Sequence, residues 1–135
     1  MKGILADVNI EGHVRFLDRL MQTPSRAEIW TYLNLAVRYF PDLGMDRTTP
    51  DREVWRRSQH DGLVLITANR NEEGEDSLEA TVRALNTAGS LPVLTLGDPD
   101  RFVMDRAYAD QVADRILEYL FDIDMYRGTG RLYVP

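Results

Sequence analysis

Asp7, Asn9, Asp51, Asn69, Asn71, Glu75 and Asp76 are the residues of this chain whose side chains have the most chemistry to explain. Carboxylate and amide oxygens in such a set can ligate a hard cation, orient water or hold a polar ligand. A carboxylate withdrawn from water needs a partner, whether a metal, an arginine or a helix N-terminus. Asp7 directly follows the apolar run Gly3-Ile4-Leu5-Ala6. The loop Thr67 to Asp76 follows Leu63-Val64-Leu65-Ile66 and holds Asn69, Asn71, Glu72, Glu73, Glu75 and Asp76. Asp51 follows Thr49-Pro50, in the first turn of a predicted helix, where the helix dipole alone would favour a negative charge by about 0.3 to 1 kcal/mol.

The elements that must position these groups can be read in order. Leu63 to Ile66 shows no polar alternation and therefore reads as a strand covered on both faces, as in a parallel sheet. In an open sheet of that kind, ligands bind beyond the carboxyl ends of the strands. Gly3 to Ala6 reads as a first strand, and Asn9 opens a helix with Ile10, Val14, Leu17 and Met21 at helical spacing, either as its N-cap or with a direct role in the site. Ser25-Arg26-Ala27-Glu28 has the form of a capping box and predicts a second helix, with Trp30 and Tyr32 as core or interface aromatics. A short strand is expected near Ala36 to Tyr39, stopped by Pro41. Thr49 as cap and Pro50 as first residue predict a helix to His60. Asp76-Ser77-Leu78-Glu79 predicts another start, with Leu78, Val82 and Leu85 inward and Gly89 as its stop.

Leu91 to Leu96 predicts a fourth strand, and Gly97-Asp98-Pro99 a further helix start. A long helix follows over Ala107 to Phe121, with Asp110, Asp114 and Glu118 on a solvated face. Arg131 to Val134 reads as a fifth strand at an edge, able to pair in a homodimer. Strands alternating with helices predict a single α/β domain over residues 1–135, a three-layer sandwich with a mainly parallel sheet of about five strands. Right-handed crossovers would carry Asp7, Asn69 and Asp98 to one edge.

Composition narrows the function classes. The 135 residues are 44% hydrophobic, enough for one core, and contain no cysteine, which excludes disulfides, a thiol nucleophile and thiolate metal sites. The net charge of -6 offers no broad basic footprint for nucleic acid, so a polyanion would need a local cationic device. Every basic residue except Lys2 is an arginine. Met1 to Ile10 lacks the long apolar core of a signal peptide and no run approaches the roughly 20 residues of a membrane helix, so a soluble, cytoplasmic protein is expected. GxGxxG and GxxxxGK[ST] loops are absent, as is a serine elbow. His13 and His60 have no second histidine at ligand spacing and read as structural or exposed.

The ordered set Leu5-Ala6-Asp7-Val8-Asn9-Ile10, Pro41-Asp42-Leu43-Gly44-Met45, Pro50-Asp51-Arg52-Glu53-Val54 and Leu63-Val64-Leu65-Ile66-Thr67-Ala68-Asn69-Arg70-Asn71 resembles the small PIN-like domains of toxin-type or Mut7-C-like ribonucleases, over about the first half of the chain. The resemblance implies a PIN-like α/β fold in which acidic side chains at strand ends hold Mg²⁺ or Mn²⁺ for hydrolysis of RNA phosphodiesters. It implies Asp7 as the first catalytic and metal carboxylate and Asp51 as the acidic residue opening the helix before the central strand. Asn9, Asn69, Arg70, Asn71 and Asp98 would contact substrate or support those groups. It also implies RNA, and a protein partner such as an antitoxin, as binding partners. Two departures stand out. Asn69 and Asn71 occupy positions where the family has aspartates after the strand threonine, and an insertion covering much of Pro24 to Asn34 precedes the second strand. Amides ligate cations but bring no charge. The site is therefore expected either to be a weak metal site of Asp7, Asp51 and Asn69 completed by Glu75 or Asp76, or to be a metal-free remnant held by hydrogen bonds among Asp7, Asn9 and Asn69. The remnant would leave a binding or interaction module.

Overall fold

The computed structural model describes residues 1–69 and 77–135. Five strands form one sheet: β1 (Gly3–Ala6), β2 (Ala36–Arg38), β3 (Leu63–Thr67), β4 (Val93–Leu96) and β5 (Arg131–Val134). Their order is β2-β1-β3-β4-β5, and every neighbouring pair is parallel. Among the described residues, six α-helices connect them: α1 (Glu11–Met21), α2 (Pro24–Leu33), α3 (Asp51–His60), α4 (Leu78–Leu85), α5 (Pro99–Met104) and α6 (Arg106–Phe121).

The lack of alternation in β1 and β3 has a direct structural cause. Successive side chains leave a strand on opposite faces, and here both faces are covered. Ile4, Ala6, Val64 and Ile66 pack in one core with residues of α1, α5 and α6, including Leu17, Phe102 and Ile116. Leu5, Leu63 and Leu65 pack in the other with Val54 and Trp55 of α3 and Leu78 and Val82 of α4. The result is the three-layer α/β sandwich that the sequence predicts, with a wholly parallel sheet. Each fully buried Leu or Ile in such a core contributes about 1.5–3 kcal/mol relative to exposure. Gly3 makes the pairing of β1 with β2 close, since a Cβ at that position would lie 2.1 Å from the Ala36 carbonyl oxygen.

Several helix boundaries differ from the sequence expectations. Asn9 is not an N-cap: it sits inside a single 3-10 turn, Val8–Ile10, and α1 begins after Ile10 with no side-chain cap. Ser25 and Glu28 form no capping box, because α2 already starts at Pro24 after Thr23, whose hydroxyl donates to the Leu20 carbonyl at 2.6 Å. Proline at the first position supplies the start instead, its fixed φ suiting the helix and its missing N–H needing no partner. Thr49 is displaced likewise. Its hydroxyl accepts from the Asp46 amide at 3.1 Å, Pro50 takes the cap position in extended conformation, and α3 begins at Asp51.

Ser77 does cap α4, accepting from the Ala80 amide at 3.1 Å, while Asp76 lies outside the described residues. Gly89 does not stop that helix. The chain leaves it at Asn86 in an extended conformation, with the Asn86 side-chain amide donating to Gly128 O at 2.8 Å. β4 is shorter than expected, because the Leu91 amide turns away to Gln59 Oε1 at 2.9 Å.

The face of α6 expected to be wholly solvated is partly engaged. Arg26, with only 7% of its side chain exposed, pairs with Asp110 at 3.0 Å and Asp114 at 2.7 Å and ties α2 to α6. The aromatics divide as well, Trp30 buried and Tyr32 exposed. Among the described residues, no helix is long and apolar enough to cross a membrane.

Candidate functional site

Because β2 lies on one side of β1 and β3 on the other, the chain changes winding direction between β1 and β3, and the carboxyl ends of these two strands flank a crevice where parallel sheets bind ligands. A pocket of about 280 Å³ opens there, lined by Asp7, Asn9, Ala68 and Asn69. Asp7 reaches it because β1 ends at Ala6 in register with Ile66, and the Asp7 amide still bonds to the Ile66 carbonyl at 2.9 Å. The Asp7 carbonyl then accepts from Ile10 at 3.0 Å and starts the 3-10 turn that presents Asn9.

Thr67, the last residue of β3, joins the groups. Its hydroxyl donates to Asp7 Oδ2 at 2.5 Å and accepts from the Asn69 amide at 2.9 Å. The side-chain Nδ2 of Asn69 donates to Asp51 Oδ2 at 2.9 Å, and the Leu78 amide at the start of α4 donates to the same oxygen at 3.2 Å. Asp51, the first residue of α3, thus links the beginnings of two helices to the end of the central strand. Asp7, Asn9 and Asn69 line the pocket, whereas Asp51 is absent from its lining and joins the group through the Asn69 amide.

Asp98 behaves differently. Located after β4, it caps α5 by accepting from the Arg101 amide at 3.1 Å and is not part of the pocket lining. Arg70, Asn71, Glu75 and Asp76 lie outside the described residues.

Burial is the main influence on Asp7 and pushes its carboxyl above the ordinary aspartate value of 3.8. The Thr67 hydroxyl and the Val8 amide pull it down, the negative charge of Asp51 pushes it up again, and the net direction is upward. Hydrogen bonding therefore leaves the ionised form of Asp7 incompletely compensated. Among the described residues, neither Asp7 nor Asp51 forms an ion pair with an arginine, lysine or histidine.

As a donor set for Mg²⁺ or Mn²⁺, the site offers two carboxylates and the amide side chains of Asn9 and Asn69, all hard-oxygen chemistry. Mg²⁺ is commonly held by one or two carboxylates with substrate phosphates and waters completing its shell. The residues present fit such an ion. Among the described residues, no cluster of three or more His, Cys, Asp or Glu gathers, so charge for a cation would come from Asp7 and Asp51.

One supporting residue escaped the sequence reading. Arg131, at the start of β5, donates from Nη1 to the Asn69 carbonyl at 2.7 Å and to Thr95 Oγ1 at 2.7 Å, while Nε reaches Glu79 at 3.2 Å. Only 7% of its side chain is exposed, and its buried Nη2 has no hydrogen-bond partner among the described residues. The signal available in the sequence was a lone charge opening an otherwise apolar strand. Through Asn69, this arginine fixes the amide that holds Asp51.

Comparison with protein-family models, with curated proteins and with solved structures gives no match to this chain.

Proposed function

We propose that the chain is a PIN-like domain that hydrolyses RNA phosphodiesters with the help of Mg²⁺ or Mn²⁺ at the pocket between β1 and β3. The observation that carries this reading is that two carboxylates, Asp7 and Asp51, are joined through Thr67 and Asn69 at the carboxyl end of the central strand, with the Asp51 charge acting on Asp7, Asp7 buried enough to disfavour its own charge, and neither offset by a basic side chain among the described residues. Such a site is stabilised by a cation. Asp7 and Asp51 would hold it, with substrate phosphate oxygens completing the shell. When bound, the ion supplies Lewis acidity toward the phosphoryl oxygens and lowers the pKa of water.

The chain's own residues do the positioning. Thr67 fixes the Asp7 carboxylate, Asn69 fixes Asp51, and Arg131 fixes Asn69 from behind. Asn9, exposed on its turn beside the pocket, is placed to donate to a phosphate or a sugar hydroxyl. With a net charge of -6, RNA would bind weakly except where the ion bridges it, and with few phosphates neutralised by basic side chains the dependence of activity on salt should be shallow. The cysteine-free composition agrees with work in the reducing cytoplasm.

One observation favours a second reading, that of a metal-free interaction module. The Asn69 amide donates into Asp51 where the family pattern would place another carboxylate, and it meets part of that group's need without a cation. The experiment that separates the readings is cleavage of a fluorescent single-stranded RNA by parent and Asp51→Asn protein, with Mn²⁺ or with EDTA. The nuclease reading expects cleavage by the parent in Mn²⁺, lost in EDTA and in the variant. Equal, negligible turnover by both proteins would leave the interaction module.

A further inference from the structure

We propose that the groove between α2 and the end of α6 is a docking site for a basic amphipathic helix presented by another protein. α2 lies against α1 and α6, and its apolar residues point two ways. Trp30 is buried in the main core, whereas Ile29 and Tyr32 face outward, 40% and 77% exposed. Phe121, the last residue of α6, is 55% exposed and sets its ring 6.3 Å from that of Tyr32. Two adjoining cavities of about 350 and 250 Å³ share Ile29 and Phe121, so the exposed apolar groups line one continuous depression.

The charges around that depression select its occupant. Glu28, Asp114, Glu118 and Asp122 line it together with one cation, Arg26. Arg26 is already engaged by Asp110 and Asp114, and Glu118 is paired with Arg115 at 3.1 Å, which leaves Glu28 and Asp122 as the acids of the rim without an ion pair among the described residues. A second copy of this chain would set that rim against its own equivalent in a molecule of net charge -6, a like-charge contact that disfavours self-pairing. Nucleic acid and anionic membranes are disfavoured for the same reason. A helix with Leu or Phe on one face and Lys or Arg on the other fits both the apolar floor and the acidic rim.

The test uses a synthetic amphipathic helix of about five turns, Leu on one face and Lys on the other. It is titrated into isotopically labelled protein, with a scrambled peptide of equal composition as control. Expected are amide shifts confined to α2 and the end of α6, and binding at least about tenfold weaker for the scrambled peptide and for Phe121→Ser. The double variant Glu28→Lys with Asp122→Lys should also weaken binding several-fold, with melting curves confirming that each variant is folded. Equal binding of the scrambled peptide would reduce the effect to general attraction by an acidic protein and overturn the proposal. So would shifts elsewhere, no binding, or unchanged affinity in Phe121→Ser. Concentration-dependent dimerisation of the parent, abolished by Phe121→Ser, would assign the groove to a second copy instead.

Discussion

Replacing Asn69 by aspartate separates a site that awaits a cation from one that has dispensed with it. In the parent, Asn69 Nδ2 donates to Asp51 Oδ2 at 2.9 Å. Asn69→Asp puts a carboxylate oxygen at that position. A hydrogen bond to a charged group, about 1.5–3 kcal/mol, is lost. Two like charges at this separation repel by about 6 kcal/mol at an effective dielectric of about 20, before screening of the half-buried Asp51 reduces it. The pair can escape by taking up one proton. At pH 7, about three units above an ordinary aspartate pKa, that uptake costs about 4 kcal/mol, which caps the penalty. Without metal, the variant should therefore be about 2–4 kcal/mol less stable than the parent at pH 7. Because the folded variant binds the extra proton more tightly than the unfolded chain, its deficit should shrink as the pH falls toward 4. Urea unfolding of both proteins in EDTA at pH 7 and pH 4.5 measures this. With Mn²⁺ at a hundredfold its dissociation constant, linkage would return about 2.7 kcal/mol to the variant. A variant as stable as the parent in EDTA at pH 7 would refute the placement of position 69 against Asp51.

Other perturbations test neighbouring parts of the argument. Asp7→Asn removes a carboxylate whose charge burial disfavours, so in EDTA it should melt higher than the parent at neutral pH. Since the folded Asp7 carboxyl sits above 3.8, the parent loses stability as pH rises past that value, and the two melting curves should converge in acid below it. Arg131→Met removes the hydrogen bonds that it donates to the Asn69 carbonyl and the Thr95 hydroxyl and one of the two arginine partners of Glu79, and should cost about 3 kcal/mol in a urea titration. Gly3→Ala would drive a Cβ into the Ala36 carbonyl at 2.1 Å, so β2 must move. A loss of about 3 kcal/mol, with faster amide exchange in β2 than in β4, is expected.

The parts of the fold that follow from local pattern were legible in the sequence. Apolar runs at Gly3–Ala6 and Leu63–Ile66 predict two strands, the second buried on both faces, and parallel pairing then places Asp7 and Asn69 at one edge. What was not legible depends on which of two adjacent polar residues wins a local competition, or on contacts between distant segments. Thr23-Pro24 displaced Ser25 at a helix start because proline needs no capped amide. Gly89 was passed over because Asn86 left the helix early to bond with Gly128. Arg26 meets Asp114 across 88 residues, and Arg131 meets Asn69 across 62, separations at which no periodicity carries information. Neither arginine's partners can be read from its neighbours in sequence, and both are buried fasteners.

The most direct test of the central claim is a Mn²⁺ titration followed by electron paramagnetic resonance of the free ion, on the parent, Asp7→Asn and Asp51→Asn proteins. If Asp7 and Asp51 form a cation site at the junction of β1 and β3, the parent should bind one Mn²⁺ per chain. Each substitution should weaken that binding by at least about tenfold, since each removes half of the available negative charge. Stoichiometric binding that survives both substitutions, or no binding to the parent at millimolar Mn²⁺, would contradict it.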